Sequence, residues 1–151
     1  MDPSALERFV AAQDRDGTWE QALAELRTGR KRTHWVWFVL PQLAGLGRSW
    51  NAERYGLTGL DEARAYLAHP VLGPRLREAV AVLLDAPGEA ADVLGPDDVK
   101  LRSCLTLFSR AAPDEPAFRA LLARWYDGDE DPRTLALLGS PDPGTAPARP
   151  V

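Results

Sequence analysis

This chain of 151 residues is short of cysteine, histidine, lysine and long apolar runs, and each shortage removes a possibility. With one cysteine, Cys104, there is no internal disulfide, which fits a reducing compartment. The two histidines, His34 and His69, stand in no metal-ligand spacing with it, and no HExxH, CxxC or carboxylate-rich calcium loop occurs, so no metal and no cofactor is expected. No stretch approaches the ~18 apolar residues of a spanning helix and no apolar run follows Met1, so the expectation is a cytoplasmic protein without membrane contact. A basic excess is missing too: 22 acidic residues outweigh 18 basic ones, for a net charge of -4. That balance argues against general duplex nucleic-acid binding. Of the basic residues only Lys31 and Lys100 are lysines, and a compact, titratable amine stands out in a chain that otherwise writes arginine.

Alternation of apolar and polar residues is also lacking, whereas helical spacing recurs along the chain. Thr18 and Gln21 signal a helix start, Ala22, Leu23 and Leu26 form its stripe, and Gly29 stops it. The apolar run Trp35 to Leu40 reads as a short buried helix with Thr33 as its cap and Pro41 as its stop. Positions 42 to 59 read as a long glycine-containing loop folded over that segment. Further helices are expected from Thr58 to His69, from Pro70 to Leu84, from Asp97 to Arg110 and from Pro116 to Tyr126. A last one is bracketed by Asp131 and Gly139. The predicted fold is an all-α, single-domain orthogonal bundle of about seven to nine short helices over residues 1–139. The proline-rich residues 140–151 are expected to form a disordered tail.

Function concentrates between Gly29 and Ser49, where a cationic run of Arg30, Lys31 and Arg32 meets His34, Trp35, Trp37 and a Gly-Leu-Gly turn. Arginines suit an anion, and indole faces suit a base. On a helix Trp35 and Trp37 diverge by about 200°, so one is expected to face a ligand and the other the core. Gln42 and Ser49 flank the glycine turn, whose backbone N–H groups can approach an anion. On the helix from Thr58, the spacing of Glu62, Tyr66 and His69 lines a carboxylate, a phenol and an imidazole along one edge. Glu62 is thereby a candidate general base, or alternatively a helix-start carboxylate with His69 capping the next helix. Lys100 lies at the border of a buried face, where it pairs with Asp97 or contacts a phosphate.

The stretches THWVWFVLPQLAGLGRS (Thr33 to Ser49), YGLTGLDEARAYLAHPVLGPRL (Tyr55 to Leu76) and PDDVKLRSCLTLF (Pro96 to Phe108) resemble the domain of unknown function 1810 family in order and over nearly the whole chain. That resemblance implies a helical fold. Some members carry the label calpastatin, but calpastatins are disordered inhibitors and this composition is that of a packed globule. A fainter outline is similar to the NADAR group: Trp37 with Phe38, then Tyr55 before Glu62, then a lysine before Phe108, with Val39 and Leu40 replacing the usual Ser-Asn. This second resemblance implies N-glycosidic or ADP-ribose chemistry, with Glu62 and Lys100 catalytic and Tyr55 near the ligand.

Two readings follow. In the first, the chain binds a nucleotide-like or phosphate-bearing small molecule through Arg32, His34, Trp35, Trp37, Gln42, Ser49 and Tyr55, with Glu62 and Lys100 available for N-glycosidic hydrolysis. In the second, the same segment is a non-catalytic module that docks a protein or a nucleic-acid end.

Overall fold

In this computed structural model several helices pack around a central one, Asp98–Ala111, which we label α8 after its place among ten α-helices in the described residues, 3–139. The others are α1 (Glu7–Asp14), α2 (Thr18–Thr28), α3 (Val36–Val39), α4 (Trp50–Arg54), α5 (Leu60–Ala68), α6 (Leu72–Asp85), α7 (Ala90–Leu94), α9 (Pro116–Tyr126) and α10 (Pro132–Gly139). Seven of the ten have eight residues or more, and three are single turns. The described residues contain no strand, only a parallel bridge between Leu43 and Leu57, so the fold is all-α. The expected tail at 140–151 lies outside the described residues.

Helix α8 is central because its inward residues cover more than one stripe. Leu101, Cys104, Leu105, Leu107 and Phe108 are all fully buried, and α5, α7, α9 and α10 pack around them. Phe108 stacks between Tyr66 of α5 and Phe118 of α9, with ring centroids 5.6 and 5.7 Å apart. A helix apolar on several sides belongs in a core, and its neighbours need only one apolar face each. The spacing of four, four and three residues among Leu72, Leu76, Val80 and Leu83 gives α6 that face, which it presents toward α9, α5 and α2. Polar side chains inside this core are engaged. Gln13 donates to the Phe38 carbonyl at 2.7 Å and to the Tyr66 hydroxyl at 3.1 Å, and Arg75 donates to its Oε1 at 3.1 Å.

The helix ends follow the punctuation in most places. Gly29 closes α2 in the left-handed conformation, φ 82°, where a side chain is strained. Asp131 accepts from the Thr134 N–H at 2.8 Å and starts α10 ahead of Pro132. His69 caps α6 as its spacing allows, with Nδ1 accepting from the Val71 and Leu72 N–H groups at 3.1 and 3.2 Å. Two expectations are corrected. Thr33 does not cap α3: the residue in that place is Trp35, without a side-chain cap, because the Thr33 hydroxyl donates to Glu25 instead. Positions 42 to 59 are not one structureless loop, because Ser49 accepts from the Ala52 N–H at 3.1 Å and starts the turn α4.

Candidate functional site

The cationic run is held by a carboxylate from the preceding helix. Glu25 sits on the buried face of α2, three residues after Ala22, and is only 3% exposed. Its Oε1 accepts from the N–H groups of Arg32 and Thr33 at 2.7 and 3.0 Å and from the Trp35 indole at 2.9 Å. Its Oε2 accepts from the Thr33 hydroxyl at 2.7 Å and from Gln21 at 2.9 Å. Burial pushes the Glu25 pKa up, but these hydrogen bonds outweigh it and hold the group at about 2, below its ordinary 4.5. The hub therefore folds the segment from Arg32 to Trp35 around a fixed negative charge.

A second carboxylate, Asp97 at the start of α8, gathers the chain's two lysines. Lys31 Nζ lies 2.9 Å from its Oδ2 and Lys100 Nζ 3.2 Å from its Oδ1. Burial opposes ionisation of Asp97, and the two ammonium groups outweigh it, so its pKa lies below the usual carboxylate range. Each lysine also approaches a tryptophan: Lys31 lies 5.2 Å from the Trp35 ring centroid and Lys100 lies 6.0 Å from that of Trp37. Lys31 is buried by the contact, whereas Lys100 remains partly exposed.

Beyond Lys100 opens a hollow of about 450 Å³. Trp37 reaches it from α3, and the segment 42–56 supplies Gln42, Arg48, Ser49, Asn51 and Tyr55. Lys100 and Ser103 come from α8, and Asp131 and Arg133 from the start of α10. The wall formed by 42–56 is shaped by backbone pairing, with Ala44 donating to the Leu57 carbonyl at 2.7 Å and Leu57 donating to that of Gln42 at 2.9 Å. Gly56 makes this closure possible, since a Cβ there would stand 2.7 Å from the Ala44 Cα. Arg133 ties the opposite side to the wall by donating to the Leu46 carbonyl at 2.6 Å.

The charge of the lining is lopsided. Arg48, Lys100 and Arg133 face it with a single carboxylate, Asp131, whose Oδ2 already receives the Thr134 N–H and hydroxyl as a helix cap. On a chain of net charge -4 this is a cationic enclave.

Of the residues predicted from sequence, the hollow brings together Trp37, Gln42, Ser49, Tyr55 and Lys100. It does not include Arg32, His34, Trp35 or Glu62. Arg32 and His34 are exposed elsewhere, and Trp35 is buried with its indole N–H donating to Glu25, so it offers no stacking face. Glu62 is 5% exposed and faces its own helix start, accepting from the Thr58 N–H at 2.9 Å and lying 3.9 Å from Arg8. Ser49 and Tyr55 also hold structure, the first as the cap of α4 and the second packed at a tilt against the rings of Phe9 and Phe38. Sequence reasoning missed Arg48, Arg133 and Asn51 in the lining and Glu25 behind it. A carboxylate at the i+3 position of an apolar stripe was the available signal for Glu25.

Comparison with known proteins agrees with the fold. The family model described as Protein of unknown function (DUF1810) matches residues 3–138. The crystal structure of the conserved hypothetical protein Rv1873 from Mycobacterium tuberculosis is similar at 51% sequence identity, with a TM-score of 0.87. The match covers 91% of this chain and 99% of that one. No curated protein matches the chain.

Proposed function

The chain belongs to the DUF1810 family, and from the geometry of its cationic hollow we propose that it binds a phosphate-bearing, nucleotide-like small molecule. The observation that carries this reading is the convergence of Arg48, Lys100 and Arg133 with the Trp37 ring around one hollow. A volume of about 450 Å³ lies within the range of roughly 300–1,000 Å³ usual for small-molecule sites. Lys100 is the exchangeable cation of the set, because Asp97 keeps its shorter contact to Lys31 when an incoming anion draws Lys100 away. Trp37 offers an aromatic face beside that anion, and Gln42 and Asn51 supply polar groups for a base or sugar edge.

The arrangement favours binding over N-glycosidic hydrolysis. Hydrolysis calls for a carboxylate within reach of the scissile bond, but Glu62 is engaged away from the hollow and Asp131 caps α10. A thermal-shift series with inorganic phosphate, nucleoside monophosphates, ADP-ribose and riboflavin precursors tests the reading. A true ligand at 100 times its Kd adds about 2.7 kcal/mol of stability. The shift should disappear in Trp37→Ala and weaken in Lys100→Met. Absence of a shift with every phosphate-bearing compound ends the proposal.

A further inference from the structure

Three large apolar side chains are exposed in the described residues, and each lines the hollow or packs beside the segment 42–56 that walls it. Val99 lines it directly. Leu137 packs beside Gly45, within 3.5 Å of where that residue's Cβ would be, next to the lining residue Leu46. Trp50, 69% exposed, lies between Ser49 and Asn51 and meets the Tyr55 ring edge-on at 6.4 Å. Isolated exposed apolar residues are ordinary on protein surfaces, but their gathering around one hollow marks a place where something docks.

The charge and ring pattern identifies the occupant. Inside the hollow, the Trp37 ring has Lys100 Nζ at 6.0 Å. Between the lining residues Ser49 and Asn51, the Trp50 ring has the Arg54 guanidinium 5.4 Å from its centroid, with Arg48 two residues before it. This is the same unit twice, an aromatic ring with a cation over it. Single-stranded nucleic acid repeats the complementary unit, a base with a phosphate beside it. An acidic peptide matches the cations but has no need of two flat faces each paired with one. The net charge of -4 disfavours a long duplex track and leaves room for contact confined to a strand end.

We propose that the hollow takes the phosphorylated end of a single-stranded nucleic acid, with the terminal nucleotide inside against Trp37 and the next base stacked on Trp50. This rests on the reading of the hollow as a nucleotide site and adds to it the direction in which the ligand continues.

The test compares the dissociation constants of thymidine monophosphate and of a short oligothymidylate phosphorylated at one end, for the full chain and for Trp50→Ala. Trp50 is exposed, so the variant folds, and circular dichroism verifies that. The oligonucleotide should bind roughly tenfold more tightly than the mononucleotide. Trp50→Ala should erase that advantage while leaving mononucleotide binding unchanged. Removing the terminal phosphate should weaken oligonucleotide binding. If the mononucleotide binds and the oligonucleotide gains nothing, the strand-end proposal falls and the small-molecule reading stands. If neither binds, the strand-end proposal falls, and the small-molecule reading falls with it only when the thermal-shift series is also blank. An acidic peptide that binds with the same Trp50 dependence, where the oligonucleotide does not, makes the occupant a protein and overturns the proposal.

Discussion

Trp35 and Trp37 stand on either side of Val36, and they belong to regions of opposite character. The Trp35 side is closed: its indole donates to Glu25, Lys31 covers its ring, and the backbone of the cationic run is folded onto the same carboxylate. The Trp37 side is open: its ring faces a hollow, its neighbouring lysine is partly exposed, and two arginines stand nearby. In the closed region the Lys31 ammonium is held against Asp97, and Glu25 takes the Arg32 and Thr33 N–H groups and the Trp35 indole. In the open region the cations outnumber the carboxylates. A run of basic residues therefore says little about binding until its internal partners are known, and here the run from Arg30 to Arg32 serves the architecture more than the hollow.

The sharpest way to break the comparison is to empty the closed region of its charge. Glu25→Ala leaves the Arg32 and Thr33 N–H groups and the Trp35 indole without their acceptor, at a cost of about 3 kcal/mol or more, read as a lower urea midpoint. The pH dependence has a defined sign. The folded pKa of about 2 lies below the ordinary 4.5, so the stabilisation is fully present above pH 4.5 and is lost as pH falls toward 2. Integrated over that window, the shift corresponds to about 3 kcal/mol. The stability gap between the parent and Glu25→Ala should narrow across that window on acid titration.

Next in size is the contrast between the two lysines on Asp97. Lys31→Met removes a buried ammonium at 2.9 Å and should cost about 2 kcal/mol, less than a fully broken buried pair because Lys100 still faces the carboxylate. Lys100→Met should cost under about 1 kcal/mol, since that side chain is partly exposed. Ligand affinity should follow the opposite order, falling with Lys100→Met and changing little with Lys31→Met. Chemical denaturation and calorimetric titration of the same two variants check both halves. Equal losses of affinity would mean that the closed and open regions are not separate.

Much of the fold was legible because α6, α8 and α9 carry dense apolar stripes whose period admits one solution. Proline and glycine placed several ends correctly, including the stop at Gly29 and the start at Asp131. The site was legible in part. Trp37, Gln42, Ser49, Tyr55 and Lys100 do meet, but local pattern offered no way to know which tryptophan the hollow would take. That choice depends on Glu25, a contact across ten positions that leaves no periodic trace. Of the two readings of Glu62, the helix-start carboxylate is the one its contacts match, since it accepts from the Thr58 N–H four residues earlier. Arg133 was invisible to local reasoning because it reaches the wall at Leu46 from a distant part of the chain.

Arg48 gives the smallest expected effect on the fold and the cleanest view of the open region. It is exposed, lies just before the cap of α4, and faces the hollow with Lys100 and Arg133. A surface cation of this kind contributes within about 0.5 kcal/mol to stability, so Arg48→Ala should unfold at nearly the parent's urea midpoint. Its contribution to an anionic ligand is electrostatic and screened, so the loss of affinity should be largest at low ionic strength and shrink as salt rises. Titrations of phosphate-bearing ligand at two salt concentrations separate this from a packing effect, which salt leaves unchanged. A loss of affinity that is the same in both buffers would mean that Arg48 shapes the wall around α4 instead of attracting the ligand, and the charge of the enclave would then rest on Lys100 and Arg133.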